Sequence, residues 1–333
     1  MSSGHENNTL LHPDGLVMML VILGLGASSD KTRESIMRDF NVPSLSGFLQ
    51  EFLSLYRSPE IKFGMGMFLI QPEIELTYNY YNQISGHVDV MKPCKDHTPE
   101  NLINTWIARF GGGFYINEKI INSTQMMLVN MFTFEDHWNV SFDLAPISTE
   151  YFNGEMGISS VQMMHRLSEV HYHRKNGITA IRFGFRCGAH IEIVMGLGSI
   201  DLSTFGSMEF NYVIKLVRLS MPKFTQELLI DISKLLIDIG YGQFLSVGSM
   251  NAAGNVHLSS AYQRIKVVIH ERGVRQSQYL TYQSIEPDAI VKFNRTFYYR
   301  IVNDDSTLIV GKYDGDSQTL SQSCVSCFSW LWC

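Results

Sequence analysis

The sequence predicts an α+β fold on three observations. Helical periodicities crowd the first hundred residues, and strand-like words fill most of the remainder. Near the end an irregular polar stretch, Glu271–Ala289, hangs between a strand pattern at Arg264–His270 and two more at Ile290–Val302 and Ser306–Lys312. That last order predicts a long exposed loop strung between two sheets. The 333 residues are 45% hydrophobic and 17% charged with a formal net charge of −6, which describes a globular chain with ample material for a core. A basic footprint for nucleic acid is absent. No linker composition marks a boundary and no period of 20–50 residues repeats, so one large domain is expected over residues 1–314, with a separate tail at 315–333.

The elements follow in order. Leu16–Gly24 is apolar all round, which predicts a buried helix opened by Pro13. Thr32–Phe40 is amphipathic with Ile36 and Met37 inward. In Ser46–Tyr56 the residues Phe48, Leu49, Phe52, Leu53 and Tyr56 form one helical stripe. Lys62–Ile70 has strand character, Glu75–Ile84 returns to helix, and Pro99–Phe110 is a helix with Thr98 as its cap. Strands are then expected at Met126–Phe134, Ser159–Met164, Val170–His173, Ile178–Phe185, His190–Met195 and Ile214–Leu219. Thr225–Ile239 reads as an amphipathic helix.

Compartment rests on a few signals. Leu16–Leu25 is too short to cross a bilayer, which needs about 20 residues. No Lys or Arg precedes it, and its cleavage would discard a buried helix, so a secretory signal is not expected. Sequons at Asn7, Asn122, Asn139 and Asn294 do not decide the matter. The five cysteines lack a paired spacing, which fits a reducing compartment. A cytoplasmic protein is expected, with no membrane contact.

Several words, in order, resemble one family, the serpins. NTLLHPDGLVMMLVILGLGASSDKT from Asn8 is similar to the serpin segment in which a short strand and a Ser-Pro-x-Ser turn lead into a buried central helix, although His12 and Gly15 replace the serines. NLINTWI at Asn101–Ile107 and MMLVNMFTFEDHW at Met126–Trp138, with Phe142 beyond, resemble the Ile-Asn-x-Trp, Leu-Val-Asn and Phe-x-x-x-Trp words. VQMMHR at Val161–Arg166 adds paired methionines, and LSMPKF from Leu219 resembles a strand ending in Pro-Lys-Phe. IKVVIHERGV, VKFNRTFYYRIV and STLIVGKY complete the resemblance, which runs from about Asn8 to about Lys312. With only about a dozen residues before the first strand, and the first helix largely missing, the chain is similar to the compact intracellular serpins of poxviruses.

The resemblance implies helices around a large mixed sheet plus smaller sheets, and an exposed reactive-centre loop. It implies a monomeric inhibitor of a serine or cysteine protease, not an enzyme, with no cofactor and no metal; if viral, its targets are host proteases in the host cell cytoplasm. A protease cuts the loop, which inserts as a new central strand and drags the acylated protease with it. The hinge is then Glu271, Gly273, Val274, Arg275 and Gln276, and the scissile region is Ser284, Ile285 and Glu286, with Ile285 favoured because a bond before Pro287 is a poor substrate. Asn130, Trp138, His12, Gly15 and Gln263 occupy the positions beneath and at the top of the opening sheet. The hinge departs from the family's small residues at Arg275, Gln276, Gln278 and Tyr279. If the Val274 face is the buried one, Gln276 and Gln278 go inward, each costing roughly 1–3 kcal/mol without a partner. From Glu271 to Phe293 the chain advances 22 positions, about two fewer than the family implies. The alternative is therefore a non-inhibitory binding protein with a hinge that does not insert.

Other constellations carry less. His171 and His173 share a strand face near His165, but exposed strand histidines are commoner than metal ligands. Cys324, Cys327 and Cys333 lack a second ligand pair at suitable spacing. No Gly-x-Ser-x-Gly elbow, phosphate-binding glycine loop or His-Glu-x-x-His is present.

Overall fold

The computed structural model describes residues 8–55, 60–71, 73–94, 98–111, 116, 124–251, 254, 256–274, 286–303 and 306–315. In chain order the elements begin with β1 (Thr9–Leu11), α1 (Pro13–Gly26), α2 (Asp30–Asp39), α3 (Leu45–Leu55), β2 (Ile61–Leu69), α4 (Tyr78–Ile84), β3 (Asp89–Met91) and α5 (Pro99–Ala108). Then come β4 (Met126–Glu135), β5 (Ala145–Gly154), β6 (Gly157–Lys175), β7 (Ile178–Gly184), β8 (His190–Met195), α6 (Leu202–Gly206), β9 (Val213–Pro222) and β10 (Phe224–Asp231). The last are α7 (Ile232–Asp238), β11 (Leu258–Ile269), β12 (Ala289–Lys292), β13 (Phe297–Asn303) and β14 (Ser306–Tyr313). Among the described residues the chain divides into two compact units, one of residues up to 13, 134–227 and from 266 on, the other of residues 14–133 and 228–265.

The first unit is built on a nine-stranded sheet in the order β1-β14-β13-β8-β7-β6-β9-β12, with β5 paired to β6. The sheet is mixed, because β12 joins β9 in parallel while β6, β7, β8, β13 and β14 pair antiparallel. Aromatic side chains fill one side: Phe224 stacks on Tyr313 at 4.6 Å, and Phe152 and Phe297 meet Tyr313 at 5.1 Å. Three expectations are corrected here. Ser159–Met164 and Val170–His173 are one strand, because Arg166 and Ser168 between them are buried and bonded to each other, at 2.8 Å from Nε and 2.6 Å from Nη2 to the serine hydroxyl. Ile290–Val302 is two strands, since β12 pairs with β9 and β13 with β8 and β14. The strand β5 was not expected at all; its burial alternates only weakly, and pairing with β6 makes it a strand.

In the second unit α1 is enclosed, with Met18–Leu23 wholly buried, and Tyr80 donates its hydroxyl to the Ile22 carbonyl at 3.0 Å. Helix α5 starts as expected: the Thr98 hydroxyl accepts the Asn101 N–H at 3.3 Å, and Pro99 stands in the first turn. It lays Ile103, Trp106 and Ile107 on Met127, Val129 and Met131 of β4. The five-stranded sheet runs β10-β11-β4-β2-β3. The helix expected over Thr225–Ile239 is corrected to a strand followed by a short helix. Phe224, Gln226, Leu228 and Ile230 alternate inward along β10, and Asp231 accepts the Ser233 N–H at 2.9 Å, which caps α7 at its start. Leu228, Leu229, Ile232, Leu235 and Leu236 also satisfy a helical spacing, so periodicity alone did not separate the two readings.

Candidate functional site

The strands β4 and β11 are immediate neighbours in the five-stranded sheet, and each carries a fully buried amide. Asn130 of β4 and Gln263 of β11 are both 0% exposed. Gln263 Nε2 donates to Asn130 Oδ1 at 3.0 Å, and Asn130 Nδ2 donates to the Gly64 carbonyl of β2 at 3.2 Å. A side-chain bond therefore spans the seam between β4 and β11, where buried amides with few alternatives are costly to separate. The other two positions singled out with them do something different. His12 reaches the Leu308 carbonyl through Nδ1 at 2.7 Å, and burial pushes its imidazole down to about 3, so it stays neutral. Gly15, buried in the first turn of α1, has no side chain to contribute.

The hinge lies in the first unit. Beyond β11 the chain continues beside the segment that follows β4: the Trp138 N–H donates to the Arg272 carbonyl and the Val274 N–H to the Trp138 carbonyl. The Ser141 N–H donates to the Val274 carbonyl and the Phe142 N–H to the Glu271 carbonyl. The bridge between Trp138 and Gly273 is parallel. Glycine at 273 is required by this approach, since a Cβ would stand 2.8 Å from Ser141 Cα, Ser141 N and the Trp138 carbonyl oxygen, all backbone atoms. Val274 is 51% exposed, and Glu286 is also exposed. Arg275, Gln276, Ser284 and Ile285 lie outside the described residues.

Trp138 anchors the hinge. It is 0% exposed, stacks on Phe185 at 4.2 Å, meets Phe183 at 4.9 Å and Phe142 at 5.5 Å, and donates its indole N–H to the His270 carbonyl. Arg166 lies over Phe183 and Phe142 at 4.6 and 5.1 Å; burial pushes its guanidinium down to about 9 against the pull of Asp143. Glu271 takes an ion pair from Lys223 at 2.9 Å. Burial opposes its charge, but Lys223 holds the carboxyl below the ordinary range. The far side of the loop is pinned too: the Leu216 N–H donates to Asp288 Oδ2 and the Asp288 N–H to the Leu216 carbonyl, both at 2.8 Å.

Sequence reasoning singled out Asn130, Gln263, Trp138, Glu271 and Gly273, whose surroundings are those just described. It missed Lys223 as the partner of Glu271, although the Pro-Lys-Phe word contains it, and it missed His270 beside His137, whose spacing in sequence gives no hint of contact. The three strand histidines set aside as metal ligands have ordinary neighbours: His165 contacts the Ser220 and Ser148 hydroxyls at 2.9 Å, His173 the Asn211 carbonyl at 2.9 Å, and His171 meets the Tyr212 ring edge-to-face with centroids 6.2 Å apart. Among the described residues no group of His, Cys, Asp and Glu has metal-binding geometry, and no helix is long and apolar enough to cross a membrane.

A family model described as Serpin (serine protease inhibitor) matches residues 1–314. Among solved structures, native protease nexin-1 with heparin is similar with a TM-score of 0.79 at 18% identity, covering 93% of each chain. Uncleaved ovalbumin gives 0.79 at 16% identity over 94% of each chain. Serpin-12 of Manduca sexta gives 0.77 at 17% identity over 95% of this chain and 94% of its own. At such identities the likeness shows the fold. A comparison with curated protein sequences finds no match.

Proposed function

This chain belongs to the serpin family, and on that premise we propose that it inhibits a serine or cysteine protease as a suicide substrate. The observation that carries the reading is the direct pairing of β4 with β11, together with the docking of the segment that follows β11. β4 and β11 pair directly, and the loop leaves β11 through a segment docked, in parallel, on the residues after β4. A strand that follows β11 and lies beside it must run antiparallel to it. Insertion therefore requires the chain to reverse beyond Val274 and to part β4 from β11, breaking the Gln263–Asn130 bond.

In chemical terms the protease nucleophile attacks the carbonyl of the residue before the cut bond, which we place at Ile285. An acyl-enzyme forms with that carbonyl, and the new amine departs at Glu286. If the released loop enters the seam before water hydrolyses the ester or thioester, the enzyme is carried along and trapped; serpin loops are the established case of such strain release.

A second reading rests on the loop's own residues. Arg275, Gln276, Gln278 and Tyr279 are bulky or polar where an inserting strand needs small side chains, and slow insertion converts an inhibitor into a substrate. In that case the protein binds a partner without trapping it. Incubation with a panel of serine and cysteine proteases, followed by denaturing gels, separates the readings: an adduct stable in SDS is expected with at least one protease. Cleavage of the loop by every protease tested, with no adduct and no rise in melting temperature, overturns the trapping mechanism.

A further inference from the structure

The hinge contains titratable groups that loop insertion does not require. His270 ends the β11 segment with its side chain almost enclosed, and two of its atoms hold the hinge. Its Nδ1 accepts the Arg272 N–H at 3.2 Å, and its carbonyl accepts the Trp138 indole. The Arg272 bond needs the imidazole neutral at Nδ1, because a protonated ring nitrogen donates and cannot accept.

The groups around His270 come from both flanking segments. From the end of β4, His137 presents its ring edge-on with the centroids 5.4 Å apart, and Glu135 Oε1 stands 3.9 Å from His270 Nε2. From its own segment come Arg272 and Glu271, the latter engaged by Lys223. Burial, and then His137 and Arg272, disfavour charge on His270, while Glu135 and Glu271 favour it; the balance lies below the ordinary histidine range. Glu135 is half exposed, so solvent screens its pull.

We propose that His270 is a positioning residue for the hinge, that it makes release of Glu271–Val274 from residues 138–142 acid-sensitive, and that the neighbouring His137 lowers the pH of that release. A proton taken at Nδ1 turns the acceptor into a donor facing the Arg272 N–H, and that bond is lost. His137, exposed and edge-on at 5.4 Å, disfavours that proton. The sign follows from which form fastens the hinge. Neutral His270 holds it, so the hinge is docked above the pH at which His270 titrates and is freed as the pH falls through it. The consequence for activity rests on the loop-insertion reading, since the freed residues are those that must turn before the loop enters the sheet.

The test is amide hydrogen exchange at single-residue resolution on the full, uncleaved chain at pH 7.5 and pH 5, with rates corrected for the intrinsic pH dependence of exchange. Protection of the Arg272 and Val274 amides is expected to fall about tenfold at pH 5, the loss of roughly one hydrogen bond. His270→Asn keeps an acceptor oxygen near the Nδ1 position without a titrating ring and should show no fall. His137→Gln alters an exposed side chain and should move the release to higher pH. Equal protection at both pH values in the unaltered protein overturns the inference, as does an undiminished fall in His270→Asn or an unmoved release in His137→Gln. The melting temperature after loop cleavage is measured at pH 7.5 on the same preparation. Its failure to rise would remove the insertion reading while leaving the exchange result standing.

Discussion

Replacing Gln263 by methionine keeps the shape of the side chain and deletes the donor that spans the seam. Asn130 Oδ1 is then left, at 0% exposure, without the bond that Gln263 Nε2 makes at 3.0 Å. A buried acceptor deprived of its partner costs about 1–3 kcal/mol. For a chain of this size that is a fall of roughly 2–4 °C in melting temperature. The uncleaved protein should show this fall. If the cleaved loop inserts as proposed, the loop-cleaved protein should show less than half of it, because a strand between β4 and β11 would separate the two amides. Combining Gln263→Met with Asn130→Leu removes both polar groups and should recover part of the loss. Scanning calorimetry of the two forms reads all of this. A Gln263→Met variant that melts with the parent would refute the claim that this bond closes the seam, and one that loses as much after cleavage as before would refute insertion at that seam.

Three more outcomes are expected. Gly273→Ala would drive a Cβ to 2.8 Å from three backbone atoms of Trp138 and Ser141; the hinge must move, at a cost of about 1–3 kcal/mol, and limited proteolysis near Gly273 should quicken, whereas an unchanged rate would show that the close approach is not real. His12 is held neutral in the fold, at about 3, so its contribution to stability is full above pH 6.5 and lost as the pH falls toward 3. About 2–3 kcal/mol should be gone by pH 4.5, and the urea midpoints of His12→Gln should lose that much of their slope between pH 7 and 4.5; an identical slope would mean that another group carries the acid sensitivity. Glu271→Gln deletes an ion pair in which both side chains are about one-third exposed, so screening limits the loss to under about 1 kcal/mol; urea midpoints at low and high salt should converge for the variant and the parent as salt rises.

How much of this was legible in the sequence depends on the range of each interaction. Asn130, Trp138 and Glu271 stood in words whose residue types and order were informative, and the strands around them could be read from local pattern. Thr225–Ile239 could not, because its residues fit both a helical stripe and a β alternation, and the sheet chose. The gap read into β6 came from Arg166 and Ser168, polar residues that look like a break until their mutual bond and the flanking Phe142 and Phe183 rings enclose them. His12 bonds to Leu308, 296 positions away, and no local pattern reports such a pair.

Residue types and near-neighbour spacing were enough to read the family-like order of words and most helices and strands, because those depend on local pattern. Folding alone brings Gln263 to Asn130 across the seam, Gly273 against the Trp138 backbone, and His270, which accepts the Arg272 N–H, beside His137. Each of those is a meeting of residues far apart in the chain. Their energies depend on distances of a few ångströms and on exclusion of water, which folding fixes and composition does not.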